Sequence, residues 1–497
     1  MKLSALIKKL ESEIVEIPHP NKREVCKNDY EIKSIHSNSD NVKEGGLFIA
    51  IKGFKADGHN YIKEAVKKGA KAIISEKKVK NCQVPVIIVK NSRKILSGIS
   101  ASFFNNPSEH LFLIGVTGTN GKTTVTYLIE NILNAAGKTT GVIGTVNIRY
   151  AGAEFINSVT TPESYHLQKT LFEMKKNRVT HVVMEVSSHA IDLFRIEDCL
   201  FNAVVLTNLT QDHLDYHKDM ATYWDCKKSL FTKHIIKGCK KNKAVSVINT
   251  DNQYGKQLYQ TVVTKKISVG SDDDNFIRAE SVEYKITGIK AVLKIGEKKF
   301  KLKSPLIGEH NLQNILCAAG ACIAAGISGE NITKGIENTK NIPGRLEKVR
   351  NNAKKNIFVD YAHTPDALKN VLLTLKKLKP QKLITVFGCG GGRDKTKRSI
   401  MGKIAGKLSD LCIITSDNPR SEDPNKIIEQ IIKGVKTETD NFIIEPDRKK
   451  GIKAGIKALS NEDILIIAGK GHETYQIIKN KKLNFDDRKT VKQIINL

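Results

Sequence analysis

The sequence predicts an α/β protein of three domains: a small N-terminal α/β domain, a central domain on a mainly parallel sheet, and a C-terminal Rossmann-like domain. Three observations carry this. At 497 residues the chain is too long for one ordinary core. Short apolar, β-branched runs alternate with helical patterns, the order that builds parallel sheets. The strand-then-turn pattern also restarts near Pro343, after a stretch of different character.

Taken in order, LFIAIKG, AKAIIS and VPVIIVK read as buried strands around the helical HNYIKEAVKKGA, which gives a first domain over residues 1–108 with Pro107 at its boundary. Over 109–341, the runs HLFLIGVTG, HVVMEVSS, NAVVLTNLT and AVSVINTD each end in small polar residues, as strands do where ligand groups gather. Residues 266–306 alternate in short runs such as AVLKIG and KKFKLK, which predicts antiparallel strands, and NLQNILCAAGACIAAGI predicts a buried helix. NIFVDYA, KLITVFG, DLCIITS and DILIIAG supply the strands of a third domain over 342–497.

The net charge of +29 raises a nucleic-acid reading, but the lysines are spread along the whole chain and no RRM, KH or zinc-finger pattern occurs, so no nucleic-acid partner is expected. A basic surface around anionic substrates accounts for the charge. The N-terminus has no apolar signal region and no run is long enough to span a bilayer, so a cytoplasmic protein without membrane insertion is expected. Nine cysteines, including Cys26 and Cys239, lack any C-x-x-C spacing and read as reduced, mostly buried thiols. Only 13 of 81 basic residues are arginine, yet Arg195, Arg345, Arg393, Arg398 and Arg420 fall inside motifs, where a planar fork is useful.

In LIGVTGTNGKTT a strand runs into a glycine turn and then a helix beginning near Lys122. The usual phosphate-loop spacing would put glycine where Val116 stands, so this is a variant loop. Gly118, Thr119, Asn120, Gly121, Lys122, Thr123 and Thr124 form a phosphate cradle in which Lys122 reaches the β/γ-phosphates and the Thr123 hydroxyl suits Mg²⁺. The central domain is therefore expected to be a P-loop-type ATPase.

Glu185 ends the next strand and, as a hard-oxygen donor, is a candidate second magnesium ligand. Ser187-Ser188-His189 lacks the G-x-S-x-G elbow of a serine nucleophile. His213 and His217 have zinc-like i, i+4 spacing without an evident third ligand. The two lysines of YWDCKKSLF read, by spacing alone, as surface lysines. In the last domain GCGGGRDKTKR, DNPR and GKGHE each follow a strand; singly they are polar turns, and the first also suits a phosphate. Together, Arg393, Arg420 and Glu473 suggest a pocket for a zwitterion.

As a set, TGTNGKTT at 117–124, TTP at 160–162, MEVSSHA at 184–190, NLTQDHLDYH at 208–217, PGRLE at 343–347, DYAHTPDAL at 360–368, GCGGGRDKTKR at 388–398, DNPR at 417–420 and GKGHE at 469–473 resemble the Mur ligases, and among them the branch that adds diaminopimelate. The resemblance implies a UDP-sugar-binding first domain, a central ATPase and an amino-acid-binding third domain. It implies an ATP-dependent ligase that joins meso-diaminopimelate to the D-Glu γ-carboxylate of UDP-MurNAc-L-Ala-D-Glu through an acyl phosphate, with Mg²⁺, in peptidoglycan precursor synthesis. A monomer is expected.

By the same resemblance, Lys122 and Thr123 serve phosphate and metal, with Glu185 and His213 beside them, and Lys227 is carbamylated to become an anionic metal ligand. Ser39, Thr160, Thr161, Ser187 and Arg195 fall on UDP-substrate positions, and Asn314, Arg345 and Asp360 on ATP positions. Arg393, Asp417, Asn418, Pro419, Arg420, Gly469 and Glu473 fall on amino-acid positions. Lysine-adding relatives lack the arginine at 420. Two departures stand out: Asn38-Ser39-Asp40 replaces a D-S-R signature, and Leu193 replaces a substrate-contacting glutamine. Folylpolyglutamate-type ligases share the loop but not TTP, DNPR and GKGHE together. A nucleic-acid-binding NTPase switch is favoured by the charge alone.

Overall fold

Alternation of side chains along short strands explains the N-terminal module. In the computed structural model, which describes residues 1–8, 13–16, 29–54, 56–237, 240, 242–479 and 481–495, a sheet runs in the order Ile14–Glu16, Val86–Val89, Ala70–Ser75, Gly46–Ile49, Ser34–His36. All neighbours pair in parallel except Ile14–Glu16, which closes one edge antiparallel. Successive side chains point to opposite faces. Leu47, Ile49, Ile74, Ile87 and Val89 therefore pack with Leu6, Ile95 and Ile99 on one side, while Phe48, Ile73, Val86 and Ile88 pack with Ile62 and Ala65 on the other.

The central sheet sets Phe112–Thr117 between His181–Glu185 and Ala203–Leu206, all parallel. Thr140–Ile143 continues it on one side, and Val245–Asn249 with Lys265–Val269 on the other, again in parallel. The hairpin Ile148–Tyr150 and Ala153–Phe155 adds an antiparallel edge. Since the chain leaves Phe112–Thr117 and later flanks it on both sides, strand order reverses at its carboxyl end. Open α/β sheets bind ligands at such a point. Covered on both faces, these strands are continuous apolar runs rather than alternating ones.

The expectation for 266–306 is only partly met. Lys265–Val269 is parallel to Val245–Asn249, and its end pairs in parallel with the start of Ile277–Lys285. Gly288–Ile295 and Lys298–Ser304 do form an antiparallel hairpin. Alternation reports that one face is exposed, not which way the strand runs. The helix expected from NLQNILCAAGACIAAGI is Glu309–Ala324, with Ala318, Ala319, Ala321 and Cys322 fully buried.

The C-terminal sheet has the order Glu347–Lys348, Asn356–Asp360, Ile464–Ala468, Leu383–Phe387, Leu411–Ile414, Phe442–Ile444, parallel but for the short first strand. The chain divides into two compact units, Met1–Arg278 with Leu316–Ile332, and Ala279–Ile315 with Thr333–Leu497. Among the described residues no helix is long and apolar enough to cross a membrane. Cys82, Cys199, Cys226, Cys317, Cys322, Cys389 and Cys412 are free thiols, most of them buried; Cys26 and Cys239 lie outside the described residues.

One buried ion pair holds the carboxyl ends of the C-terminal strands. Arg448, at the start of helix Arg448–Ala458, donates from Nε and Nη2 to Asp487 at 2.8 Å each, and both side chains are fully buried. The same guanidinium donates to the carbonyl of Ala468, the last residue of one strand, and to that of Ser416, just past another. Removing one partner strands the other's charge in the core. Asp487→Ala is expected to cost about 3–5 kcal/mol, read as a lowered denaturation midpoint for the C-terminal unit, whereas exposed pairs such as Lys285 with Glu283 should cost far less.

Candidate functional site

The strand Phe112–Thr117 delivers the chain into the loop 118–121, and helix Lys122–Ala135 begins at once. Gly118 has φ +146°, and a Cβ there would lie 2.0 Å from Thr207 Oγ1. That close approach lets the next strand's end hold the loop. Thr119 N donates to Asn208 O at 3.0 Å, and Asn120 N donates to Asn208 Oδ1 at 2.9 Å. Thr207 Oγ1 donates to Asn120 O at 2.6 Å, and Thr119 Oγ1 donates to Thr210 O at 3.0 Å. The staple residues Thr207, Asn208 and Thr210 have no role in the sequence reading, although NLT directly follows a strand.

Thr123 Oγ1 donates to both oxygens of Glu185, at 3.0 and 3.1 Å. Glu185 also accepts from the Thr145 backbone N–H at 2.8 Å and the Thr145 hydroxyl at 3.0 Å. Thr145, absent from the sequence reading, lies 3.1 Å from Thr160 through the two hydroxyls. Thr161 Oγ1 donates to Glu185 O at 2.8 Å, and Ser187 N donates to Thr161 Oγ1 at 3.1 Å. Arg195 then forks between Thr161 O at 2.9 Å and Glu163 Oε1 at 2.6 Å.

Glu163, directly after TTP, helps to wall a cleft of about 640 Å³ that is also lined by Asn38, Ser39, Asp40, Phe54 and Arg93. A continuous series of polar contacts thus runs from the phosphate loop to the cleft.

Lys227 overturns the reading of its segment as surface lysines. It lies on helix Met220–Ser229, is 1% exposed, and donates to Gly118 O at 3.0 Å. Lys122 Nζ donates to the same carbonyl at 2.9 Å and to Thr119 O at 2.8 Å. Burial drives the Lys227 pKa well below the ordinary lysine range, and the Lys122 charge pushes the same way. Lys228 is only half-buried.

His213 has φ +54° and precedes the single turn Leu214–His217, with its ring 5.0 Å from His189 and 6.1 Å from Tyr223. The Tyr223 hydroxyl is 3.2 Å from Thr119 Oγ1, which sets His213 near the loop. Among the described residues no group of three or more His, Cys, Asp or Glu side chains is arranged to hold a metal ion.

In the second unit, Asn314 donates to Asn311 at 3.1 Å. Asp360 accepts from the N–H groups of Leu346 and Ala362 at 2.7 and 2.8 Å; burial raises its pKa and Arg345 opposes the rise. The Arg345 guanidinium lies 5.2 Å from the Tyr361 ring centre.

The loops after Ile464–Ala468, Leu383–Phe387 and Leu411–Ile414 emerge side by side. Asn418 Nδ2 donates to Glu473 Oε2 at 2.8 Å, and Arg420, at φ +53°, donates to Gly391 O at 2.7 Å. A Cβ on Gly391 would sit 2.0 Å from Pro419 O, and one on Gly469 would sit 2.6 Å from Asp417 Oδ2. Arg398 is wholly buried against Glu422 and Gln430 and braces the glycine-rich turn. Arg393 is exposed, and among the described residues its side chain joins none of these contacts.

Residues 31–104 match the Mur ligase family catalytic domain, 116–322 the Mur ligase middle domain, and 344–471 the Mur ligase glutamate ligase domain. This chain belongs to the Mur ligase family. The Mur ligase is 40% identical over 504 residues to a UDP-N-acetylmuramoyl-L-alanyl-D-glutamate–2,6-diaminopimelate ligase of Clostridium botulinum, with 100% of this chain and 99% of that one covered. A like-named ligase of Aquifex aeolicus is 44% identical over 464 residues, covering 93% and 94%. A solved structure of a ligase with that name superposes with a TM-score of 0.69 at 29% identity, covering 94% and 95%.

The two departures from the expected pattern lie beside Ser39 and Arg195. Asn38 and Asp40 flank Ser39 in the cleft wall, and Leu193 caps the short helix Ser188–Asp192 two residues before Arg195. Gly118→Ala drives a methyl into Thr207 and shifts the loop. It is expected to reduce ligase turnover by about a hundredfold while circular dichroism stays unchanged.

Proposed function

We propose that this Mur ligase uses ATP to join meso-diaminopimelate to the D-Glu γ-carboxylate of UDP-MurNAc-L-Ala-D-Glu, in peptidoglycan precursor synthesis. Residues 1–108 take the UDP-sugar, 109–341 the ATP, and 342–497 the amino acid. The observation that supports this reading most directly is the polar series Thr123–Glu185–Thr161–Arg195–Glu163, which joins the phosphate loop to the N-terminal cleft. A nucleotide-sugar seated in that cleft extends its peptide carboxylate along the series toward the γ-phosphate.

The carboxylate attacks the γ-phosphorus to give an acyl phosphate and ADP. The amine of diaminopimelate then adds to the acyl carbon, and phosphate leaves. Two anions must meet in the first step, so fixed cations do most of the work. Lys122 is placed for this, and the N–H groups at the start of helix Lys122–Ala135 add to it. The Thr123 hydroxyl and the Glu185 carboxylate are hard oxygen donors 3.0 Å apart, a set that fits Mg²⁺. When bound, the ion neutralises phosphate charge. Ser39, Thr160 and Ser187 hold the UDP-substrate, and Asn314, Arg345 and Asp360 hold ATP.

Lys227 is the carbamylated residue. The neutral form of its amine attacks carbon dioxide, an N–C bond forms, and a proton leaves to solvent, so a buried amine becomes an anion with oxygen donors beside Lys122. After equilibration with ¹³C-bicarbonate, wild-type protein should show a protected carbamate resonance that Lys227→Ala lacks. A signal that persists in that variant assigns the modification elsewhere.

The choice of amino acid rests on DNPR. Diaminopimelate carries a second carboxylate where lysine has none, and Arg420 offers a fork for it, while Glu473 takes the accompanying ammonium. Phosphate release should require both the UDP-muramyl dipeptide and diaminopimelate, with lysine a poor replacement. Arg420→Ala should lower kcat/KM for diaminopimelate by at least about tenfold and leave the low lysine rate nearly unchanged. Equal use of the two amino acids by the wild type removes this assignment.

A further inference from the structure

Lys470, in GKGHE, is fully buried and has no role in the reading above. Burying an ammonium is costly unless its partners surround it. Its partners all belong to the pocket assigned to the amino acid or to the strand beside it. Nζ donates to Glu473 Oε2 at 3.1 Å, to Asn418 Oδ1 at 3.3 Å and to Tyr475 O at 2.5 Å.

These bonds join loops that are not neighbours. Glu473 follows strand Ile464–Ala468 and Asn418 follows Leu411–Ile414, with Leu383–Phe387 lying between them in the sheet. Asn418 is engaged at both ends of its amide: Oδ1 also accepts from Ile477 N at 2.9 Å, and Nδ2 donates to Glu473 Oε2 at 2.8 Å. Lys470 and Asn418 therefore both bond to Oε2 of Glu473. Among the described residues Oε1 makes no such bond, and Glu473 keeps 16% of its side chain exposed.

We propose that Lys470 is a positioning residue of the amino-acid pocket: with Asn418 it holds Oε2 of Glu473, so that Oε1 is presented to the ammonium group of the incoming amino acid. The inference rests on the reading of Glu473 as an amino-acid ligand. Lys470 itself touches no substrate. It acts by fixing one carboxylate rotamer and by tying the DNPR loop to the GKGHE loop.

A double-mutant cycle tests this in the full-length enzyme, with initial rates measured against meso-diaminopimelate at saturating ATP and UDP-muramyl dipeptide. K470M is expected to raise the KM for diaminopimelate by about tenfold or more, with KM for ATP and for the dipeptide within about twofold of wild type and kcat reduced less than KM is raised. E473Q should raise the same KM. In the E473Q background K470M should add no more than about twofold, because its effect passes through Glu473. K470R, which keeps a cation, should recover part of the loss.

Additive effects, or equal changes in all three KM values, overturn the role of Lys470 and leave it a structural ion pair. An unchanged diaminopimelate KM in E473Q instead overturns the reading of the pocket itself. If circular dichroism shows K470M unfolded, K470Q, which keeps a donor without the charge, enters the same cycle with the same expectations. If that variant is unfolded too, N418A tests the other half of the clamp, and additivity of N418A with E473Q overturns the proposal.

Discussion

Lys122 and Lys227 each place an ammonium nitrogen within 3.0 Å of one oxygen, the carbonyl of Gly118. Burial, and then the Lys122 charge, push the Lys227 pKa well below the ordinary lysine range. This constraint organises much of the central unit: the loop must be rigid enough to hold both side chains on one carbonyl. The bonds from Thr207, Asn208 and Thr210 supply that rigidity. It also sets the two lysines apart, since Lys227 is fully buried and Lys122 only half-buried.

The C-terminal unit meets the opposite problem. There acidic groups gather at strand ends, and buried cations hold them apart and in place. Arg448 binds Asp487 while gripping the carbonyls of two strand ends, Arg398 braces the glycine-rich turn through Glu422, and Lys470 clamps Glu473. All three side chains are buried. Arg420 is only partly buried and stands on the loop surface, which distinguishes a side chain available to ligand from those that support it.

What the sequence reveals follows from how local each feature is. The phosphate loop is legible because glycine, lysine and threonine must adjoin one another at a helix start. The strands are legible because continuous apolar runs report burial on both faces. Lys227 is not legible from spacing: its burial depends on a loop more than a hundred residues earlier, and helix Met220–Ser229 otherwise reads as polar. Thr145, Glu163 and Lys470 escape for the same reason, since each acquires its role from a partner on another element. The direction of Lys265–Val269 escapes because exposure of one face looks alike in parallel and antiparallel strands. The resemblance, not periodicity, singles out Lys227, and it also assigns Arg393, whose side chain is exposed, to the amino-acid positions.

The division of the chain into two compact units has a consequence for how the protein is made. The first unit is not a continuous segment: it takes in Met1–Arg278 and then, after an excursion, Leu316–Ile332. Gly320 in the later piece sits so close beneath the central sheet that a Cβ would lie 2.5 Å from Val247 and 3.2 Å from Val269. On the ribosome, the strands of that sheet therefore emerge well before the helix that covers one face of them. Until residue 332 has been synthesised, Val247 and Val269 lack part of their cover, and the nascent chain displays apolar surface open to off-pathway association.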